Sequence, residues 1–116
     1  MALFPVDELE ALLILKAKAG ASISYGEVFA WFGYPFQRFQ VGQLCAALDE
    51  VDRRQRGQGL PELAVLVVRA SDGIPGQGWW ISKNQEQWSG PIVGPEAATF
   101  VRAIQRRAFD HWKDEE

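Results

Sequence analysis

The stretch from Ser24 to Gly78 constrains this chain more than any other part, because its punctuation is dense and its order specific. Ser24-Tyr25-Gly26-Glu27 is a capping box. In that motif the serine hydroxyl takes the third helical N–H, and the glutamate reaches back to the serine N–H. The helix it opens is predicted to run to about Phe32 and stop at Gly33, with Val28, Phe29, Trp31 and Phe32 as core candidates. Pro35 biases Tyr34 away from helical geometry. A second helix is predicted from about Gln37 to Arg54, because Val41, Leu44, Cys45, Leu48 and Val51 recur at helical spacing. Gly57 and Gly59 end it. Leu63-Ala64-Val65-Leu66-Val67-Val68 is an almost continuous apolar run, too short for a helix of its own, and reads as a buried strand. Ser71-Asp72-Gly73 signals a turn, and Ile74-Pro75-Gly76-Gln77-Gly78 an irregular loop. Trp79-Trp80-Ile81 is then predicted to start a second strand paired with the first. Helix, turn, helix, strand and glycine-rich loop, in that order, point to a helix-turn-helix followed by a wing.

A helix is added at each end. Pro5 opens the first, Asp7, Glu8 and Glu10 put negative charge near its start, and Lys16 and Lys18 put positive charge in its last turn. Gly20 is its stop. Leu9, Leu12, Leu13, Ile14 and Leu15 cover more than one face, which predicts packing on two sides. Residues 82 to 94 read as a loop. The last helix starts at Pro95 and Glu96, with Phe100, Val101, Ile104 and Ala108 as its apolar stripe. The expected architecture is one small α/β (α+β) winged helix-turn-helix domain spanning residues 1–116.

At 116 residues, 47% hydrophobic and 23% charged, the chain is too apolar for disorder and the right size for one core. Its formal net charge of -3 gives no direct argument for nucleic acid. Acids collect at both ends, whereas the rest of the chain carries Arg38, Arg53, Arg54, Arg56, Arg69, Arg102, Arg106 and Arg107, so a local basic face is compatible with an acidic protein. The single cysteine, Cys45, excludes an internal disulfide and a cysteine-rich zinc site. No metal or cofactor is expected. Met1-Ala2-Leu3-Phe4-Pro5 lacks the basic start of a signal peptide, and Leu12 to Leu15 is too short to cross a bilayer, so the cytoplasm is the expected compartment.

Gln37, Arg38, Gln40, Gln43 and Ala46 lie off the apolar stripe of the second helix, and Gly42, Ala46 and Ala47 let another surface approach its backbone. Arg38 is the candidate phosphate or groove contact, and the glutamines can donate to base edges or phosphates. Solvated surface residues are the ordinary alternative for each. Arg69 joins them as a basic residue at the end of the apolar run. Arg53, Arg54 and Arg56 are better explained as helical partners of Asp49, Glu50 and Asp52 than as phosphate contacts. Cys45, between Leu44 and Leu48, reads as a buried structural thiol. His111, the only histidine, has no partner that would make it a catalytic base. Gly73 to Gly78 lacks the Gly-Lys-Ser/Thr ending of a phosphate-binding loop, and no helix is expected after it. Trp79, Trp80 and Trp88 are either a recognition surface or packing under the wing and the last helix, with most of the five tryptophans expected in the core.

Ile23 to Gly78 resembles the winged-helix domain of alkylguanine-DNA alkyltransferases and their catalytically silent alkyltransferase-like relatives. The likeness rests on Ser24-Tyr25-Gly26-Glu27-Val28, on Arg38-Phe39-Gln40-Val41-Gly42-Gln43 against the family's Arg-Ala-Val-Gly with one residue inserted, and on Asp72-Gly73 with Gly76 and Gly78. The resemblance implies minor-groove entry by the recognition helix, with Arg38 filling the gap left by a flipped base and Tyr25 rotating the phosphate. The family's Pro-Cys-His-Arg falls on Ala64-Val65-Leu66-Val67, so the alkyl-accepting cysteine, its histidine and the alternative tryptophan are all missing. A valine is no nucleophile, which excludes suicide alkyl transfer. Leu60-Pro61, Leu66-Val67-Val68, Gly73 to Trp79 and Phe109-Asp110-His111-Trp112 also resemble a set of small bacterial proteins, from which no activity carries over.

Two function classes follow, and neither is an enzyme. One is a nucleic-acid-binding protein, with double-stranded DNA as partner, using Tyr25, Gln37, Arg38, Gln40, Gln43 and Arg69. The other is a protein-binding inhibitor, such as an immunity protein, antitoxin or phage-defence factor, docking Trp79, Trp80 and Trp88 onto a basic partner such as a toxin.

Overall fold

The computed structural model describes residues 3–81 and 88–113. Among the described residues, five helices surround a minimal sheet: α1 (Val6–Ala19), β1 (Ile23–Ser24), α2 (Tyr25–Trp31), α3 (Val41–Gly57), β2 (Val67–Val68), α4 (Gln77–Ile81) and α5 (Pro95–Trp112). Short 3-10 turns, Arg38–Gln40 and Ala64–Leu66, precede α3 and β2. The two strands pair in parallel, Ile23 opposite Val67 and Ser24 opposite Val68. A parallel pair needs a crossover, and α2 and α3 supply it.

The capping box forms as its spacing requires. Ser24 N–H donates to Glu27 Oε1 at 3.0 Å, and Glu27 N–H donates to Ser24 Oγ at 3.1 Å. Such a cap stabilises a helix start by about 1 kcal/mol, which matters for a helix of seven residues. Only Val28 and Phe29 of α2 are buried, whereas Trp31, expected in the core, is 59% exposed. Phe4 fills the space beside α2 instead. Its ring meets Phe29, Phe32 and Tyr34 edge-on, with centroids 5.1, 5.5 and 5.8 Å away.

α1 packs against both α3 and α5 through Leu9, Leu12, Leu13 and Ala17, which satisfies the two-sided expectation, although Leu15 stays exposed. The helix expected from Gln37 begins as the 3-10 turn Arg38–Gln40 and continues as α3 to Gly57. Leu44, Leu48 and Val51 of its stripe are buried. Of the expected acids, Glu50 pairs with Arg53 and lies 3.8 Å from Arg54, whereas the other partners come from outside α3. Arg53 bonds Glu50, Arg54 bonds Asp7 of α1, and Arg56 bonds Glu62.

Asp52 turns inward. Its Oδ1 accepts the Leu63 N–H at 2.8 Å and the Ala64 N–H at 2.9 Å. From the other side, Gln105 Nε2 of α5 donates to the Val65 carbonyl at 3.0 Å. These bonds correct the expectation of a strand over residues 63–68. Every residue there is buried, as predicted. The backbone is instead held by side chains and by a Leu66 N–H to Leu63 carbonyl bond of 3.0 Å, leaving only Val67–Val68 extended. Each Leu or Val fully buried in this run contributes about 1.5–3 kcal/mol, and those contacts need burial rather than a sheet.

The second strand expected at Trp79-Trp80-Ile81 is the helix α4, so a helix does follow the glycine run. Trp79 N–H bonds the Gly76 carbonyl at 3.1 Å, and Trp80 Nε1 donates to the Pro75 carbonyl at 3.1 Å. Trp79 and Trp80 meet edge-on at 4.7 Å, and Trp88 stacks on Phe100 of α5 at 4.5 Å. The loop expected over 82–94 is irregular at 88–94, and residues 82–87 lie outside the described residues.

Removing the Asp52 carboxylate strands two buried N–H donors, so Asp52→Ala should lower the unfolding free energy by about 2–4 kcal/mol. Asp49→Ala, one exposed position on the same helix, should stay within about 0.5 kcal/mol of wild type. Urea denaturation of both variants measures the difference, and equal losses would contradict the pinning role.

Candidate nucleic-acid interface

The site begins at the capping box. β1 and the cap fix the first residue of α2, which is Tyr25, and this places its ring against the loop before α4. The Gly76 N–H donates to Tyr25 Oη at 2.8 Å. A Cβ at residue 76 would sit 3.0 Å from that oxygen, so glycine is what allows the approach. Gly78 has the same function against α3, where a Cβ would lie 3.3 Å from Cys45 Sγ. The two glycines therefore dock the start of α4 into the corner between α2 and α3.

A groove of about 470 Å³ opens at this corner, and its lining includes Tyr25, Phe36, Arg38, Cys45, Arg69 and Gln77. A second recess of about 300 Å³ lies across Tyr25, Phe36 and Arg69, bounded by Ser24, Gly26 and residues 70–71. Below Cys45 a slot of about 10 Å³ separates Leu48, Ala64 and Trp79, room for no more than one water.

The candidates from sequence distribute unequally around these spaces. Tyr25, Arg38 and Arg69 come together on the larger groove. Gln43 is exposed, and Gln37 and Gln40 are half-buried around the 3-10 turn. Arg69 is committed: its Nε and Nη2 reach Asp72 at 3.2 and 2.9 Å, and Asp72 also accepts the Ile74 N–H at 3.1 Å. Burial opposes the Asp72 charge, but the Arg69 guanidinium and these hydrogen bonds win and hold its carboxyl below the usual range. Arg38 is exposed and makes no ion pair with a carboxylate among the described residues. Beside it, Gly42 faces open space and Gln43 and Ala46 are exposed. Trp79 and Trp80 are buried and Trp88 is half-buried, so these three rings serve as packing between α4 and α5 in this conformation.

Phe36, Cys45 and Gln77 line the groove and were not among the sequence candidates, nor were Val41, Gly76 and Gly78. Two signals pointed to them, the Gly76 and Gly78 pair that lets α4 approach and the Pro35-Phe36 step that leaves the helix path. Cys45, expected to be buried, is only partly so. Burial first, and then the nearby Asp49 charge, push its thiol upward from 9.0. Burial likewise pushes the Tyr25 phenol above 10.0, against the pull of the Gly76 N–H and the Arg69 charge. Both groups are therefore neutral at physiological pH. No protein-family model, curated protein or solved structure matches this chain.

Two outcomes test this geometry. Cys45 should react with a disulfide reagent at pH 8 far more slowly in the folded protein than in urea, and equal rates would contradict its placement. Tyr25, whose phenol is raised on folding, gives stability that is complete below the pKa of a free tyrosine. That stability is lost as pH rises through the higher folded value. A spectrophotometric titration should thus show a late tyrosinate component that Tyr25→Phe removes.

Proposed function

We propose that this chain is a non-enzymatic nucleic-acid-binding protein that meets double-stranded DNA with the open N-terminal end of α3. The observation that carries the reading is Arg38, a guanidinium without a carboxylate partner among the described residues, at the mouth of a groove also lined by Tyr25 and Arg69. Unpaired guanidinium is the group that replaces phosphate counterions and gains from their release. Gly42 and Ala46 add little bulk to keep a sugar-phosphate backbone away, and the exposed Gln43 can donate to it. Gln37 and Gln40 border the same turn. Arg69, already neutralised by Asp72, serves by shaping the groove and reaches phosphate only by exchanging partners.

On this reading the scaffold is an alkyltransferase-like winged helix in which Val65, where the family's acceptor cysteine would stand, is buried and inert. The loop of residues 69–74, closed by Arg69 N–H to the Ile74 carbonyl and Gly73 N–H to the Arg69 carbonyl, takes the place of the wing. No helix among the described residues is long and apolar enough to cross a membrane, and the cytoplasm is the proposed compartment. The competing reading, a protein-binding inhibitor for a basic partner, draws on the net charge of -3.

Fluorescence anisotropy with a labelled duplex separates the two. Wild type should bind at about micromolar concentrations in low salt, with affinity falling steeply between about 50 and 200 mM. Arg38→Ala should weaken binding about five- to tenfold. No binding at low salt would sink the DNA reading and turn the search to a basic protein partner.

A further inference from the structure

We propose that Phe39 is an apolar wedge that enters a base-pair step of bound DNA; this rests on the nucleic-acid reading and extends it to the mode of engagement. Phe39 is 79% exposed, more than any other large apolar side chain among the described residues. Its neighbour Phe36 is 52% exposed, yet its ring packs edge-on against Phe29 at 5.1 Å. Phe39 has no ring partner among the described residues, and most of its surface meets solvent.

Its backbone, in contrast, is fixed. Phe39 occupies the middle of the 3-10 turn Arg38–Gln40, closed by the Gln40 N–H to Gln37 carbonyl bond of 2.9 Å and continuous with α3. The ring therefore projects from a hydrogen-bonded turn at the leading end of the helix. Arg38 is adjacent in sequence and has no carboxylate partner among the described residues. Gly42 leaves open space over the first turn of α3. An exposed apolar ring on a hydrogen-bonded turn, an adjoining guanidinium with no carboxylate partner among the described residues and an open helix start match the chemistry of a kinked duplex. The cation holds the phosphate while the ring replaces the stacking lost at an opened step. An apolar protein pocket would use the ring but gives Arg38 no counter-charge. DNA supplies both, and it is the occupant to which the structure points.

The test uses the full chain and a duplex carrying 2-aminopurine at successive central positions, whose fluorescence rises when its stacking is lost. Wild type, Phe39→Ala and Phe39→Leu are titrated at low salt, with anisotropy and 2-aminopurine emission read together. The exposed site makes unfolding by these substitutions an unneeded explanation, and circular dichroism checks it. Wild type should raise the emission at one step. Phe39→Ala should still bind, about tenfold more weakly, without the rise, and Phe39→Leu should recover part of it. A rise undiminished in Phe39→Ala, or wild-type binding with no rise at any position, would overturn the wedge and leave the nucleic-acid reading standing. No binding by wild type would overturn both.

Discussion

The Asp52 carboxylate, buried on the inner face of α3, holds the path of the chain through the buried run 63–68. It takes two consecutive backbone N–H groups, those of Leu63 and Ala64, on a single oxygen. A buried carboxylate is costly unless charge-assisted bonds compensate it, and buried N–H groups are costly unless accepted. Each need answers the other. Gln105 closes the opposite side through the Val65 carbonyl, so α3 and α5 grip the same few residues. From this clamp Val67 and Val68 emerge in register with Ile23 and Ser24. That pairing sets where the capping box starts α2, and thus where Tyr25 stands.

The groove is the outer consequence of the same construction. Tyr25 is fixed by the cap, Gly76 by its hydrogen bond to Tyr25, and α4 by the tryptophan packing against α5. The arginines divide accordingly. Arg53, Arg54, Arg56 and Arg69 are each matched to a carboxylate, whereas Arg38, in the turn before α3, has no carboxylate partner among the described residues, and neither have Arg102, Arg106 and Arg107 of α5. An acidic chain can thus present a local cationic point, because its acids are used up elsewhere or lie far along the sequence.

What was legible in the sequence was local. The capping box, the Gly20 and Gly33 stops, the stripe of α3 and the start of α5 at Pro95 depend on residues within one or two helical turns. The burial of residues 63–68 was also legible, since composition alone demands it. Their backbone conformation was not, because the groups deciding it come from 11, 12 and 40 residues away. Trp79-Trp80-Ile81 looked like a strand for want of a partner, and became a helix because Gly76 and Gly78 admit it against Tyr25 and Cys45. Trp31 was assigned to the core on hydrophobicity, yet α2 buries one face only and Phe4 covers it. For the site, Arg38 was visible as a charge off the apolar stripe. The groove was not, since its closing bond joins residues 51 apart.

Amide chemical-shift mapping during a duplex titration at low salt tests the central claim most directly, because it reports where on the molecule DNA sits. The account predicts perturbations concentrated at residues 36–46 and 69–78, with α5 and the core run 63–68 undisturbed. Perturbations confined to α5 or to the C-terminal end of α3, or none at all, would contradict it.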